Sequence, residues 1–121
     1  MPHVIESPTR IPVPGGKLID EYVGRATSGT TGVSVAHLKA PAGWGEPAQT
    51  PEFDEVTLVL VGSVSVEHDG GVLTVLAGQA VLTRAGERVR YSVGADGAEY
   101  VAVCLPAFDP GLAHRDPDPG T

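Results

Sequence analysis

The chain has 121 residues, enough to bury one hydrophobic core but not two, so a single domain is expected. Its sixteen glycines and eleven prolines are scattered between valine-rich runs without a repeat, which excludes collagen and favours short strands joined by tight turns. Fifteen acidic against eight basic residues give a net charge of −7, a field that repels phosphate backbones and anionic lipid headgroups and sets nucleic acid and membranes aside as partners.

No cationic N-terminal stretch leads into an apolar run, and nowhere do about eighteen apolar residues stand together, so the expected location is cytoplasmic. Residues 1–16 contain Pro2, Pro8, Pro12 and Pro14 and close on Gly15-Gly16. Such a stretch cannot hold a helix and reads as an extended N-terminal arm, whose Val4, Ile5 and Ile11 are suited to cover a neighbouring copy's sheet edge in a homodimer.

From residue 17 onward, turn signals recur about every eight to twelve residues, the spacing of a sandwich or barrel. They fall at 29–32, 41–45, Gly62, Asp69-Gly70-Gly71, Gly78, Ala85-Gly86 and 94–97. Asp69-Gly70 is the sharpest: Val64-Ser65-Val66 and Val72-Leu73-Thr74-Val75 alternate on either side, and the dipeptide suits a type I′ hairpin turn. No window sustains a helical period, so helix content is expected to be very low. Cys104 is alone, which excludes an internal disulfide, and its apolar surroundings from Tyr100 to Leu105 favour a packing role over a reactive one. Residues 109–121, with Pro110, Pro117, Pro119 and several aspartates, read as a flexible C-terminal tail.

Within the barrel region, Gly43 is followed by five residues, Gln49, one residue, Pro51, three residues, Glu55, six residues and Gly62. This spacing resembles the first cupin motif. Gly78, five residues, Arg84, one residue, Gly86, two residues and Val89 echo the second. Phe53-Asp54-Glu55-Val56 followed by Leu58 to Gly62, with Tyr100 to Val103 leading to Pro106, is most similar to the small cupin domains of ethanolamine-utilization proteins. The resemblance implies an all-β, jelly-roll barrel over residues 17–108.

It also implies a metal site, and here the chain departs from the family. The positions of Gln49, Pro51 and Val89 are normally histidines that bind a metal together with the glutamate. One carboxylate and one amide hold a transition metal poorly, so no cofactor is expected unless His37, Glu46 or Glu52 supply the missing donors.

Strand alternation with the motif's inward glutamate places Glu55, Thr57 and Val59 on one face, and Val89 and Tyr91 likewise inward. Glu55 beside Tyr91 would lose solvation and suit proton transfer, or else stand as a satisfied buried acid hydrogen-bonded to Gln49, Thr57 or Tyr91. Glu55 and Tyr91 are therefore the catalytic candidates, with Gln49, Trp44, Arg84, Thr57 and Glu46 as ligand-binding candidates. Arg88 and Arg90 fall on the opposite, outer face. Three functions fit this reading: a metal-independent isomerase, cyclase or lyase acting on a small polar metabolite, a non-catalytic ligand-binding or assembly module, and a metal-dependent dioxygenase, the last weakened by the missing histidines.

Overall fold

Alternation of inward and outward residues sets the strands of this chain, for which a computed structural model describes residues 1–117. The strands are β1 (Thr9–Ile11), β2 (Leu18–Val23), β3 (Ser34–Ala40), β4 (Asp54–His68), β5 (Gly71–Leu76), β6 (Ala80–Thr83) and β7 (Arg90–Leu105), followed by the one-turn helix α1 (Pro110–Ala113). In β3 the pattern is plain: Ser34, Leu38 and Ala40 are buried, and Ala36 packs on the same core, while Lys39 is exposed. The all-β expectation holds, and among the described residues the helical content is a single turn.

All pairings are antiparallel, in the order β1-β2-β3-β7-β4-β5, with β6 joined to β4. The long strands β4 and β7 run side by side through both halves of the fold and bend where the ladder slips, between Val59 and Val61 and between Gly62 and Val64. Gly62 has φ 77°, and a Cβ there would lie 2.3 Å from the carbonyl oxygen of Gly97, itself at φ 69°. Only glycine tolerates both the conformation and the approach, so this pair lets the two strands curl together. The curled sheet encloses one apolar core containing Leu38, Val59, Val64, Val66, Val75, Val89, Tyr91, Val93 and Tyr100. Among the described residues the hydrogen-bonded ladder does not close, because β5 and β6 each pair with β4 and not with each other.

Two local expectations are corrected, and part of the arm is placed. Within the arm, Thr9–Ile11 adds to the sheet as β1 beside β2, Arg10 opposite Asp20, and the two side chains form an ion pair at 2.6 Å. A backbone segment with free donors satisfies them on the nearest edge, and here that edge is its own. Asp69-Gly70 does join β4 to β5, with His68 opposite Gly71, but neither Asp69 nor Gly70 has positive φ. The turn is therefore not type I′; Gly71 carries the unusual φ of 135°, and His68 Nδ1 accepts from the Gly70 N–H at 3.1 Å. Finally, residues 109–117 are held against the barrel. Asp109 caps α1 by accepting from the Gly111 N–H, and Phe108, Leu112 and buried Ala113 pack with Phe53 and Cys104 in a second small core. The composition argument for a tail undercounted Leu112 and Ala113, which meet Phe108 from the end of the barrel region; the remainder of the expected tail, 118–121, lies outside the described residues.

Candidate functional site

Cross-strand register brings the site together. Partners in a ladder share a face, and the pairs Glu55–Cys104, Thr57–Ala102 and Val59–Tyr100 all face inward, as do Ser34 opposite Cys104 and Leu38 opposite Tyr100. Gln49 bridges Val89 through two backbone hydrogen bonds of 2.8 and 2.9 Å, which turns it toward the same interior. Lys17, Ile19 and Glu21 alternate along the chain into β2, and Ile19 packs on the core.

Glu55 keeps part of its surface exposed, yet its carboxylate is surrounded by protein. Thr57 Oγ1 donates to it at 3.3 Å, and Cys104 Sγ lies 3.8 Å from the other oxygen. Burial, reinforced by the negative charge of Glu46, raises the Glu55 pKa to about 7, with Lys17 and the two donors opposing the shift. The neighbouring hydroxyls are held neutral by burial: the pKa values of Tyr91 and Tyr100 are both raised far above that of free tyrosine. Tyr91 shares a hydrogen bond of 3.0 Å with Thr83 Oγ1, which also approaches the Glu55 backbone carbonyl at 3.5 Å. Tyr91 therefore supports the strand that carries Glu55 and does not itself bond the carboxylate.

At the open end of this group the Lys17 ammonium sits over the Trp44 ring, 3.9 Å from its centroid, and 5.6 Å from that of Tyr100. Burial lowers the Lys17 pKa, against the pull of Glu46 and Glu55. Glu46 pairs with Arg115 at 3.2 Å. Gln49 is buried, and its Oε1 has no hydrogen-bond partner among the described residues. A buried acceptor left unpaired costs about 1–3 kcal/mol, so Gln49 Oε1 is poised to receive a donor.

Thr57, Tyr91 and Glu46 gather around Glu55, Trp44 is joined to them through Lys17, and Gln49 lies at its bridge to Val89. Arg84 does not: it follows the last inward residue of β6, is exposed, and lies 3.9 Å from Asp54 on the rim's outer side. His37 sits on the outward face of β3, opposite Asp20 and Val101, and cannot stand in as a ligand. Arg88 and Arg90 decorate the exterior, paired with Asp116 and Glu67. Residue-by-residue reading missed Lys17, Tyr100 and Arg115. The alternation of Lys17 with apolar Ile19 was the one local signal for the lysine; the others reach the site through pairing distant in sequence.

The donor set does not fit a metal ion. Gln49, Pro51 and Val89 stand at the motif positions that histidines would occupy, and among the described residues no three His, Cys, Asp or Glu side chains gather to hold one. Two recesses of about 470 and 370 Å³ lie along the end of β4, β5, β6 and residues 86–90 and are lined by neither Glu55, Gln49 nor Lys17. Glu55, Lys17 and Trp44 remain partly exposed, at the mouth of the site.

No family model matches the chain. Over 107 residues, 88% of its length, it is 48% identical to a Myxococcus xanthus protein named endoribonuclease YbeY. The chain spans 36% of that relative's length. Among solved structures it is similar to oxalate decarboxylase from Bacillus subtilis, with a TM-score of 0.77, 15% identity, and coverage of 92% of this chain and 31% of the other. It is also similar to an ethanolamine-utilization protein Q of Salmonella typhimurium described as putative, with a TM-score of 0.60, 17% identity, and coverage of 76% and 71%. At these identities the structural likeness shows the fold alone, and the fold is the cupin-type barrel expected from the motif spacing.

The Myxococcus relative overturns the functional expectation. A metabolite-binding barrel, whether isomerase, passive module or dioxygenase, with nucleic acid excluded, does not agree with 48% identity to a protein named for cutting RNA. The step this finding bears on is the charge argument. A net charge of −7 averages over the whole surface and disfavours a backbone laid across it. It does not decide what a local mouth holding Lys17, Arg115 and Trp44 accepts. No helix of the described residues is long and apolar enough to cross a membrane.

Proposed function

We propose that this chain works in RNA processing, as the barrel portion of an endoribonuclease-type protein that presents one mouth to single-stranded RNA. The observation that carries the reading is the 48% identity to the Myxococcus protein over 88% of the chain. The chemistry of the mouth supports it. Single-stranded RNA is held by stacking on aromatic rings and by cations that meet its phosphates, with bases read along their hydrogen-bonding edges. Trp44 supplies the ring, Lys17 and Arg115 the cations, and Glu55 an acceptor.

In this reading Glu55 is the group that exchanges a proton near neutrality, with Thr57 and Tyr91 fixing its strand, and Gln49, Trp44 and Glu46 lining the contact. Arg84 has no part in it. The barrel comprises residues 17–108, with residues 1–16 as its edge, requires no cofactor, and acts in the cytoplasm. Its descent lies with the ethanolamine-utilization type of cupin, on the residues quoted above.

Ultraviolet crosslinking of the purified chain to a labelled single-stranded RNA tests the reading, with the crosslinked peptides mapped by mass spectrometry and the RNA checked for shortening. Crosslinks at the peptide carrying Trp44 are the expected result. Absence of both crosslinking and cleavage at low salt overturns it.

A further inference from the structure

We infer that the outward face of β6, β4, β7 and β3 is an interface, against which a second copy of this chain packs face to face about a two-fold axis. The inference stands on surface chemistry and is independent of the RNA reading. Cross-strand pairing sets Leu82, Val56, Val103 and Val35 side by side over the four strands, with Leu58 and Val101 in the next outward row. Their neighbours along each strand, Thr83, Thr57, Ala102 and Ser34, are the buried ones, so both rows point away from the core. Leu58, Leu82 and Leu105 keep 40%, 49% and 46% of their surface exposed, where a solvated face would carry polar side chains.

The other half of the same two strands supplies the comparison. Beyond the bend at Gly62 and Gly97, the outward positions of β4 and β7 are Ser65 opposite Ser92 and Glu67 opposite Arg90, the last two forming an ion pair at 3.4 Å. There the strands alternate, apolar inward and polar outward, as an antiparallel sheet with one wet face does. Before the bend the alternation is lost. Val56-Thr57-Leu58-Val59-Leu60-Val61 and Tyr100-Val101-Ala102-Val103-Cys104-Leu105 read as strands covered on both faces, and the single chain covers only one. Four strands about 4.8 Å apart and three outward positions about 6.7 Å apart give an apolar area of roughly 400 Å², enough for the dry centre of a standard interface of about 800 Å² per partner.

Charge selects the occupant. The chain carries −7, so two copies repel wherever their acidic surfaces meet. The border of this face is locally neutral: Lys39 pairs with Glu99 at one end, Arg84 with Asp54 at the other, and Arg10 with Asp20 at the side. A border of both signs around an apolar centre is complementary to itself, as a two-fold contact between identical surfaces requires. These border cations are already paired, which leaves them nothing to hold an anionic lipid surface.

Sedimentation velocity of the purified chain from about 1 to 100 μM is expected to show a dimer, with a dissociation constant of about 10 μM or below. Leu58→Lys combined with Val103→Lys would bury two uncompensated ammonium groups in the contact and is expected to raise that constant at least about a hundred-fold. Thr74→Lys, on the exposed strand opposite Ser65, is expected to leave it unchanged. Circular dichroism checks that the variants fold. Should the double variant fail to fold, hydroxyl-radical oxidation of the native chain reads the same face, with Leu58 and Leu82 expected to be protected at the higher concentration. A monomer throughout the range overturns the inference. So does a dimer that survives the double variant, or one in which Leu58 and Leu82 oxidise equally at both concentrations; either result moves the contact to another surface.

Discussion

The Lys17 ammonium lies 3.9 Å from the centroid of the Trp44 ring, and among the described residues no carboxylate comes within ion-pair distance of it. A cation on an indole face is worth about 0.5–2 kcal/mol, increasing as water is excluded. Lys17→Met keeps the aliphatic stem and removes the charge, so Trp44 emission is expected to change. Because Lys17 pulls the Glu55 pKa down, the same variant is expected to move the Glu55 midpoint further up. Carboxyl-carbon NMR across a pH series measures that midpoint; an unmoved value would contradict the coupling.

Glu55 makes stability depend on pH in an unusual direction. Its pKa is raised from 4.5 to about 7 in the folded chain, so between those values the folded state binds the proton that the unfolded state has released. Stability is therefore greatest below about 4.5 on this account, falls as pH rises toward 7, and stays lower above it. The loss attributable to Glu55 is at most about 3 kcal/mol. Glu55→Gln, which never ionises, is expected to flatten this slope and to be the more stable protein at pH above 7. Urea denaturation of both proteins across that range is the check, and parallel pH profiles would refute the assignment.

Cys104 is buried opposite Glu55, and desolvation together with that neighbouring carboxylate pushes its thiol well above the ordinary range. The thiolate is the reactive species, so the native chain is expected to resist a disulfide reagent at mildly alkaline pH and to react promptly in denaturant. Rapid labelling of the folded protein would place Cys104 elsewhere.

Phe53 is fully buried and meets Phe108 edge to face at 5.8 Å between ring centroids, which binds the C-terminal segment to β4. Phe53→Ala is expected to cost about 3–5 kcal/mol in chemical denaturation. It should also expose the peptide bonds around Leu112 and Ala113 to limited proteolysis. A loss below about 1 kcal/mol, the level of an exposed substitution, would mean that residues 109–117 do not pack against Phe53.

Much of the architecture was legible because it is written locally. Valine-rich alternation marked β4, β5 and β7, and glycine spacing marked the corners, including Gly62, whose conformation no other residue readily takes. The inward placing of Glu55, Thr57 and Tyr91 followed from the period of two and the motif. Turn conformation was less legible. Asp-Gly favours type I′ in general, but here the strand ends place the positive φ on Gly71.

By itself, then, the sequence determined the all-β class, the strand corners, the missing histidines and the inward glutamate, since each depends on neighbours a few residues apart. Only the tertiary structure decided what surrounds Glu55. Lys17, Trp44, Tyr100, Cys104 and Arg115 reach the site through antiparallel pairing and loop packing between segments far apart in the chain. It also decided how charge is felt. An acidic total is a sum over the surface, whereas the field at the mouth is set by the few groups within reach of it, and desolvation there outweighs the average.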